Sequence, residues 1–215
     1  MILAGRIAMS WIVGIIFLAA AVALSQLSHS KSFIGFVGEQ GVRSQLSKLD
    51  KSKYLIINDL MIPNGRGNGT SQIDHVVVGP GGIAVIETKN WAGRIFGKGY
   101  ERQWTVVLGR RKYRKENPIL QNKGHIAALQ RILGSDVPMH NIVSFGDRAA
   151  DLRISDVRDA DLVHPRNLVQ FIRGIGVWRL SAEQCHAIHQ QLLAANITNS
   201  DARKRHVKSI QQKFK

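Results

Sequence analysis

The stretch from Ser71 to Lys89, SQIDHVVVGPGGIAVIETK, decides how this sequence is interpreted. It contains two apolar runs rich in β-branched residues, separated by the turn residues Gly79-Pro80-Gly81-Gly82. Such runs around a glycine- and proline-rich turn are typical of a β-hairpin. The stretch therefore predicts two antiparallel core strands.

Three charged residues stand within these apolar runs: Asp74 near the start of the first strand, and Glu87 and Lys89 near the end of the second. Those two ends are neighbours in an antiparallel hairpin, and residues two apart on a strand share a face. Carboxylates bind hard divalent cations, and a nearby lysine can orient or deprotonate an attacking water. The pattern predicts a metal-dependent phosphodiesterase site; the alternative is an exposed ion pair of little energetic value.

Four short motifs follow one another along the chain: Gly38–Val42 (GEQGV), Gln72–Val76 (QIDHV), Ile86–Trp91 (IETKNW), and Asn117-Pro118 with Gln121. In this order they resemble the nuclease-related domain, NERD, a family grouped with the PD-(D/E)XK restriction-endonuclease-like nucleases. The resemblance extends from about Val37 to Leu133. It implies an α/β fold, a restriction-endonuclease-like sandwich with a central mixed β-sheet flanked by helices. Ile73 stands where the family name has proline, which leaves the acidic residue after it in place.

The resemblance also implies a catalytic set, which consists of Glu39, Asp74, Glu87, Lys89 and Gln121. Asp74 and Glu87 would hold Mg²⁺ or Mn²⁺, whose charge lowers the pKa of a bound water. Glu39 would join from the first helix, unless it is only a carboxylate stabilised by that helix's N-terminus. Gln121 would lie near the phosphate, with His125 on the same helix face four residues later. We expect His125 to be a helix-surface histidine rather than a catalytic one.

The net charge of +15 favours a polyanionic partner. Much of the excess lies between Lys89 and Arg131, where eleven lysines and arginines face only two glutamates. The predicted nucleic-acid-binding residues are Lys98, Arg110, Arg111, Lys112, Arg114 and Lys115. A second basic group, in the tail from 196 to 215, could instead attract anionic lipid or remain solvated.

The run from Ile7 to Leu24 contains no charged residue. As a helix it would be about 27 Å long, enough to cross the hydrocarbon core of a bilayer. We expect an uncleaved single-pass anchor in the cell inner membrane, with the basic C-terminal part in the cytoplasm. The alternative is a cleaved signal peptide and a secreted or periplasmic protein. The single cysteine, Cys185, excludes an internal disulfide framework and suits a reducing compartment.

The predicted organisation has four parts: a transmembrane helix at 7–24, a linker at 25–35, a NERD-type domain at 36–195 and a basic tail at 196–215. Within the domain, periodicity and turn signals predict helices at 36–49, 118–133, 166–172 and 181–194. Strands are predicted at 54–62, 71–78, 83–89, 93–96, 104–108, 111–114 and 140–145.

The resulting prediction is a membrane-anchored nuclease that hydrolyses DNA phosphodiester bonds by metal-activated water. The alternative is a non-catalytic nucleic-acid-binding or scaffold module at the membrane. Retention of Asp74, Glu87 and Lys89 together favours the nuclease, because a degenerate binding module has no need of all three.

Overall fold

The computed structural model describes residues 31–65, 67, 69–176 and 179–213. The span predicted at 7–24 lies outside these residues. Among the helices that are described, none is long and apolar enough to cross a membrane. Two compact units divide the chain, one ending at Val37 and the other beginning at Gly38. The second unit contains both sheets described below.

The described strands are, in chain order, β1 (Leu55–Pro63), β2 (Thr70–Gly79), β3 (Gly82–Lys89), β4 (Gly93–Lys98), β5 (Gln103–Leu108), β6 (Arg111–Glu116), β7 (Met139–Phe145), β8 (Ala149–Ser155) and β9 (Asp161–Val163). The described helices are α1 (Lys31–Leu46), α2 (Pro118–Leu133), α3 (Leu168–Gly174), α4 (Ala182–Ala195) and α5 (Ser200–Lys213). A short 3₁₀ turn, Pro165–Asn167, precedes α3.

Two mixed sheets form the framework of the fold. The first has the order β1-β2-β3-β7-β9, in which β1, β2 and β3 are antiparallel and β3, β7 and β9 are parallel. The second has the order β6-β5-β4-β8, in which only the β4–β8 pair is parallel. The fold is therefore mixed α/β with two mixed sheets flanked by helices, whereas the sequence predicted one central sheet.

The predicted hairpin is confirmed as β2 and β3, which turn at Pro80-Gly81 between the paired residues Gly79 and Gly82. Gly82 has a φ of 120°, which side-chain-bearing residues rarely adopt. A Cβ there would also lie 2.5 Å from the carbonyl oxygen of Pro138. Glycine is therefore required where β3 begins beside β7.

Helices cover both faces of the first sheet because its central strands are apolar on both sides. Val76 and Val78 of β2 pack in one cluster with Leu129 of α2 and residues of α4. Val77, between them, packs in a second cluster with Leu46 of α1 and residues of α3. Successive side chains of β2 therefore pack against helices on opposite faces of the sheet, as expected for a sheet buried on both faces.

A third apolar cluster joins the two sheets. Trp104 of β5 is fully buried there, packs against Phe145 of β7 and donates a hydrogen bond from its indole nitrogen to the carbonyl oxygen of Lys98 at 2.9 Å. Ile119, at the start of α2, belongs to the same cluster. This packing connects the basic second sheet to the helix that follows it.

Three elements differ from the sequence predictions. Strand β8, AADLRIS, and the three-residue β9 were not predicted, although residues 151–155 of β8 alternate polar and apolar side chains as a strand does. The segment predicted as a basic tail contains α5. Arg203 of that helix donates to Asp59 of β1, so the helix is attached to the edge of the first sheet.

Candidate active site

Asp74 and Glu87 lie opposite each other at the end of the β2–β3 pair. The last paired residues are His75 and Ile86, so the next position brings the two carboxylates face to face across the strands. Beyond that pair, the N–H of Thr88 donates to a side chain and not to a backbone carbonyl of β2. Its acceptor is Asp74 Oδ2, at 2.8 Å. The hairpin geometry therefore places both acidic residues together, as the sequence predicted.

Glu87 is 2% exposed and forms a closed set of contacts with Lys89 and Gln121. Its Oε1 lies 2.5 Å from the Lys89 ammonium and accepts a hydrogen bond from Gln121 Nε2 at 2.7 Å. Lys89 also donates to Gln121 Oε1 at 3.0 Å. Each of the three side chains thus fixes the other two.

This set of contacts determines the charges of the site. Burial alone would raise the pKa of Glu87, but the Lys89 ammonium and the His125 imidazole beside it hold that pKa below its usual value. Burial would lower the pKa of Lys89, but the Glu87 carboxylate outweighs it and raises that pKa. Glu87 and Lys89 therefore remain an ion pair at neutral pH.

Asp74 lies beside this ion pair as a second buried carboxyl group. Burial and the nearby Glu87 carboxylate raise its pKa well above the usual value, although the Thr88 N–H and the Lys89 ammonium oppose the shift. Two carboxylates that share one site disfavour each other's ionisation unless a cation is added. A cation bound at this position would lower the pKa of Asp74 again.

Glu39 approaches the same site from α1. The pKa of its carboxyl is raised by burial and by the charges of Asp59 and Glu87, which places it in the same acidic environment. The glycine before it allows this approach, since a Cβ at Gly38 would lie 2.7 Å from Cβ of Asn90. The structure thus brings Glu39 to the electrostatic neighbourhood of the other predicted residues.

Asp59 is an acidic residue of this region that sequence reasoning missed. It has a φ of 57°, rare for a residue other than glycine, and it stands opposite Asp74 in the β1–β2 register. Side-chain alternation breaks there, because Ile57 and Leu60 on either side pack in the same apolar cluster. The only sequence signal is a polar pair, Asn58-Asp59, inside the apolar run of β1.

The two histidines next to the site have opposite surroundings. His125 was expected at the helix surface, and this is wrong: it is 8% exposed, and its Nε2 lies 3.3 Å from Glu87 Oε2. The spacing of four from Gln121 was the signal, since both residues share the helix face that packs on the site.

His75 is buried on the other side of β2 from Asp74. Its Nδ1 lies 2.7 Å from Asn58 Oδ1, and burial lowers its pKa to about 4.

Buried asparagines fix α2 against the first sheet. Asn117 caps the helix by accepting a hydrogen bond from the N–H of Ile119 at 2.9 Å. Asn122 is fully buried and donates to the carbonyl oxygen of Val85 in β3 at 2.8 Å. The neighbouring Gln121 is thereby held in reach of the site, which explains the Asn-Pro motif and the glutamine that follows it.

Comparison with known protein families identifies the domain. The profile of the nuclease-related domain matches residues 34–146, more than half of the chain. The chain belongs to the NERD family. The matched segment contains all five residues predicted to be catalytic.

Similarity to one protein extends beyond the NERD domain. An uncharacterized protein of Bacillus anthracis is 29% identical over 203 residues, which cover 93% of this chain and 95% of that protein. The alignment is long enough to include the segments that follow the domain. No solved structure matches the chain significantly.

The donor set of the NERD domain suits a hard divalent cation held in part by water. Glu87 Oε2 is buried and has no well-aligned hydrogen-bond partner, so this carboxylate keeps one oxygen for another ligand. Within the described residues, no three acidic, histidine or cysteine side chains form a complete metal cage. Mg²⁺ commonly binds through one or two carboxylates and keeps several waters, which Asp74 and Glu87 could provide for.

The six predicted nucleic-acid-binding residues lie on the second sheet of the NERD domain. Arg111, Lys112, Arg114 and Lys115 belong to β6, an edge strand that is exposed along most of its length, and Arg110 lies in the turn before it. We call β6 and this turn the basic strand. Lys98, the sixth residue, ends β4, and its ammonium lies 5.7 Å from the ring centre of Tyr100.

The basic strand leads towards the carboxylates. Glu116, its last residue, is near enough to contribute to the raised pKa of Lys89. The chain then continues through the Asn117 cap into α2, which carries Gln121. A strand of cationic side chains and the candidate site are therefore adjacent along the chain and in space.

Proposed function

We propose that this NERD protein is a nuclease that hydrolyses phosphodiester bonds of nucleic acid, most simply DNA, with Mg²⁺ or Mn²⁺ bound by Asp74 and Glu87. The observation that carries the proposal is the buried Glu87 carboxylate. One of its oxygens is held by Lys89 and Gln121. The other lies 3.3 Å from His125 Nε2 without a well-aligned hydrogen bond, beside the raised-pKa carboxyl of Asp74. An ion pair between Glu87 and Lys89 with only a structural role would not require the Asp74 carboxyl beside it.

Each residue has a distinct role in this proposal. Asp74 and Glu87 would hold the divalent ion, which when bound would supply a water of lowered pKa and positive charge near the phosphate. Lys89, an ammonium with two acceptors, acts as a cationic donor that orients the attacking water and stabilises negative charge developing on the phosphate. Gln121 accepts a hydrogen bond from that ammonium, and Glu39 would accept a proton from the water.

The substrate assignment follows from charge. The net charge of +15 and the exposed basic strand beside the site favour a polyanion. Contacts from such side chains to phosphates give affinity without base specificity.

Membrane attachment is a separate part of the proposal. The charge-free run at 7–24 would anchor the NERD domain to the inner membrane, with the domain in the cytoplasm. Full-length protein is then expected in the membrane fraction after cell lysis and resistant to extraction by salt. A soluble, uncleaved full-length chain would contradict the anchor, and a mature N-terminus near Leu24 would identify a signal peptide instead.

The activity is tested with the full chain on labelled plasmid, linear DNA and RNA, with Mg²⁺, with Mn²⁺ and with a chelator. We expect cleavage of DNA only when a divalent ion is present. Asp151→Asn is a matched control variant, since it removes a partly exposed carboxylate of β8 that pairs with Arg153. If wild-type protein binds nucleic acid but cleaves none of these substrates with either metal, it is a binding module and not a nuclease.

A further inference from the structure

Helix α5 and the edge of the first sheet border an open cavity of about 430 Å³. Its lining residues are Met61, Gln72, Arg203, Lys204, Val207 and Lys208. The volume is within the range of ~300–1,000 Å³ typical of small-molecule sites. We call it the tail cavity.

An ion pair attaches α5, the helix that borders the tail cavity, to strand β1 near the candidate site. Arg203 donates from Nη1 to Asp59 Oδ2 at 2.7 Å and from Nη2 to the carbonyl oxygen of Asp59 at 3.0 Å. Gln72 donates to the other carboxylate oxygen, Oδ1, also at 2.7 Å. Asp59 lies between the pairs Asn58–His75 and Leu60–Ile73, at the level of Asp74 on the neighbouring strand. The two lining residues Arg203 and Gln72 therefore contact a residue next to the candidate metal ligand.

A second contact ties α5 to the same strands. Thr70, at the start of β2, lies 2.7 Å from Nδ1 of His206 through its hydroxyl. Just before the helix, the N–H of Ile197 donates to the carbonyl oxygen of Met61 at 2.7 Å. The basic C-terminal segment is therefore docked on the NERD domain beside its acidic residues.

The lining of the tail cavity combines apolar surface with cations. Met61, Val207 and the aliphatic stems of the lysines provide apolar walls. The Gln72 amide donates to Asp59 through its nitrogen, which leaves its oxygen to accept from a base edge. Lys204 and Lys208 carry exposed ammonium groups at its border. Apolar walls with cations at the border suit a nucleobase and its phosphates.

We infer that the tail cavity is a subsite that receives one unstacked nucleotide of the substrate strand, next to the phosphate that is cut. Gln72 precedes Asp74 by two residues on β2, a distance of about 7 Å along the strand. A nucleotide adjacent to the scissile phosphate would reach the cavity over such a distance. This inference rests on the proposed nucleic-acid substrate and specifies that single-stranded or locally opened strands bind best.

The test measures binding by the full chain in a chelator, so that its outcome does not depend on cleavage. The probes are a labelled single-stranded DNA oligonucleotide and an oligonucleotide of the same length without bases. Val207→Trp, at a helix position that is 48% exposed, should fill the cavity without disturbing the core. We expect it to weaken binding of the normal oligonucleotide roughly 10-fold, the scale of one lost base contact, and to leave the abasic one nearly unchanged.

Two control variants separate the cavity from general surface effects. Leu193→Trp adds the same side chain at an exposed position of α4 and should not change affinity. The double substitution of Lys204 and Lys208 by Ala should weaken single-stranded binding. Lys204→Ala alone should weaken it more than Arg205→Ala, which also removes one cation of α5 but outside the cavity.

Three results would overturn the inference. The first is a Val207→Trp variant with wild-type affinity, and the second is an equal loss for the normal and abasic oligonucleotides. The third is loss of binding to phosphatidylserine vesicles in the Lys204 and Lys208 double variant with unchanged binding to DNA, which would assign α5 to a lipid surface. Failure to cleave DNA would reject the proposed nuclease and leave this binding test valid.

Discussion

Replacing Asp74 by Asn is expected to stabilise the metal-free protein, although it removes a ligand that the proposed activity needs. Asp74 and Glu87 lie directly across β2 and β3, where Cβ atoms are ~5 Å apart. At an effective dielectric constant of ~20, two like charges at that distance repel by about 3 kcal/mol. The amide of Asn keeps an oxygen to accept the Thr88 N–H, so the variant loses charge and little geometry.

The net gain is smaller than the repulsion. Neutralising Asp74 also weakens its attraction to Lys89 and the charge-assisted hydrogen bond from Thr88, which together offset about 1–2 kcal/mol. We therefore expect the free energy of unfolding to rise by about 1–2 kcal/mol at pH 8 in a chelator. In a chain of this size that corresponds to roughly 2–8 °C in Tm.

Glu87→Gln also removes one carboxylate charge from the site, but it should destabilise the protein. The Lys89 side chain is 17% exposed and would lose its ionic partner. Breaking a buried ion pair from one side costs about 3 kcal/mol or more. Thermal or urea denaturation of both variants in a chelator, followed by circular dichroism, measures both changes.

The stability difference between Asp74→Asn and wild type should depend on pH. Its pKa is raised by folding, so its ionisation destabilises the folded state as the pH rises through that pKa. The advantage of Asp74→Asn should therefore be largest at alkaline pH and vanish as the pH falls below the unfolded value of 3.8. An Asp74→Asn variant that is less stable than wild type in a chelator, or a stabilised Glu87→Gln variant, would refute this electrostatic account.

Further predictions concern the cationic and histidine residues. Lys89→Ala should reduce cleavage about 10²-fold or more, the usual scale for one positioned charge-stabilising group, measured as initial rates on labelled DNA. Reversal of Arg110, Arg111 and Lys112 to Glu should weaken DNA binding for all sequences alike and flatten its salt dependence, measured by anisotropy; unchanged affinity would exclude the basic strand from the interface. The folded pKa of His75, about 4, lies below its unfolded value of 6.5, so the unfolded chain binds the extra proton between those pH values. Stability should therefore fall by up to about 3 kcal/mol from pH 6.5 to 4, and urea denaturation of His75→Phe should lack this dependence.

The sequence predicted those parts of the site that depend on local geometry. The convergence of Asp74 with Glu87, and the shared face of Glu87 and Lys89, follow from a tight turn and strand alternation. Gln121 and His125 share a face because they are four apart on a helix. The burial of His125 could not be inferred, since it depends on how α2 docks on the sheet through distant side chains.

The remaining features depend on tertiary contacts or on unusual backbone conformations. Asp59 adopts a left-handed conformation inside an apolar strand, for which its residue type gives only a weak signal. Strand β8 alternates polar and apolar residues only over 151–155, and its parallel pairing with β4 depends on tertiary structure. Helix α5 is polar and highly charged, and its position depends on Arg203, whose partner lies 144 residues earlier in the chain.

The central claim is that Asp74 and Glu87 together bind the ion that makes the protein a nuclease. The most direct measurement compares wild type with Asp74→Asn in two assays on the same labelled DNA: cleavage with Mn²⁺ and binding in a chelator. The account predicts metal-dependent cleavage by wild type, none by the variant, and equal or tighter DNA binding by the variant, because a negative charge near the phosphate has been removed. Cleavage by Asp74→Asn at the wild-type rate, or metal-independent cleavage by wild type, would contradict it.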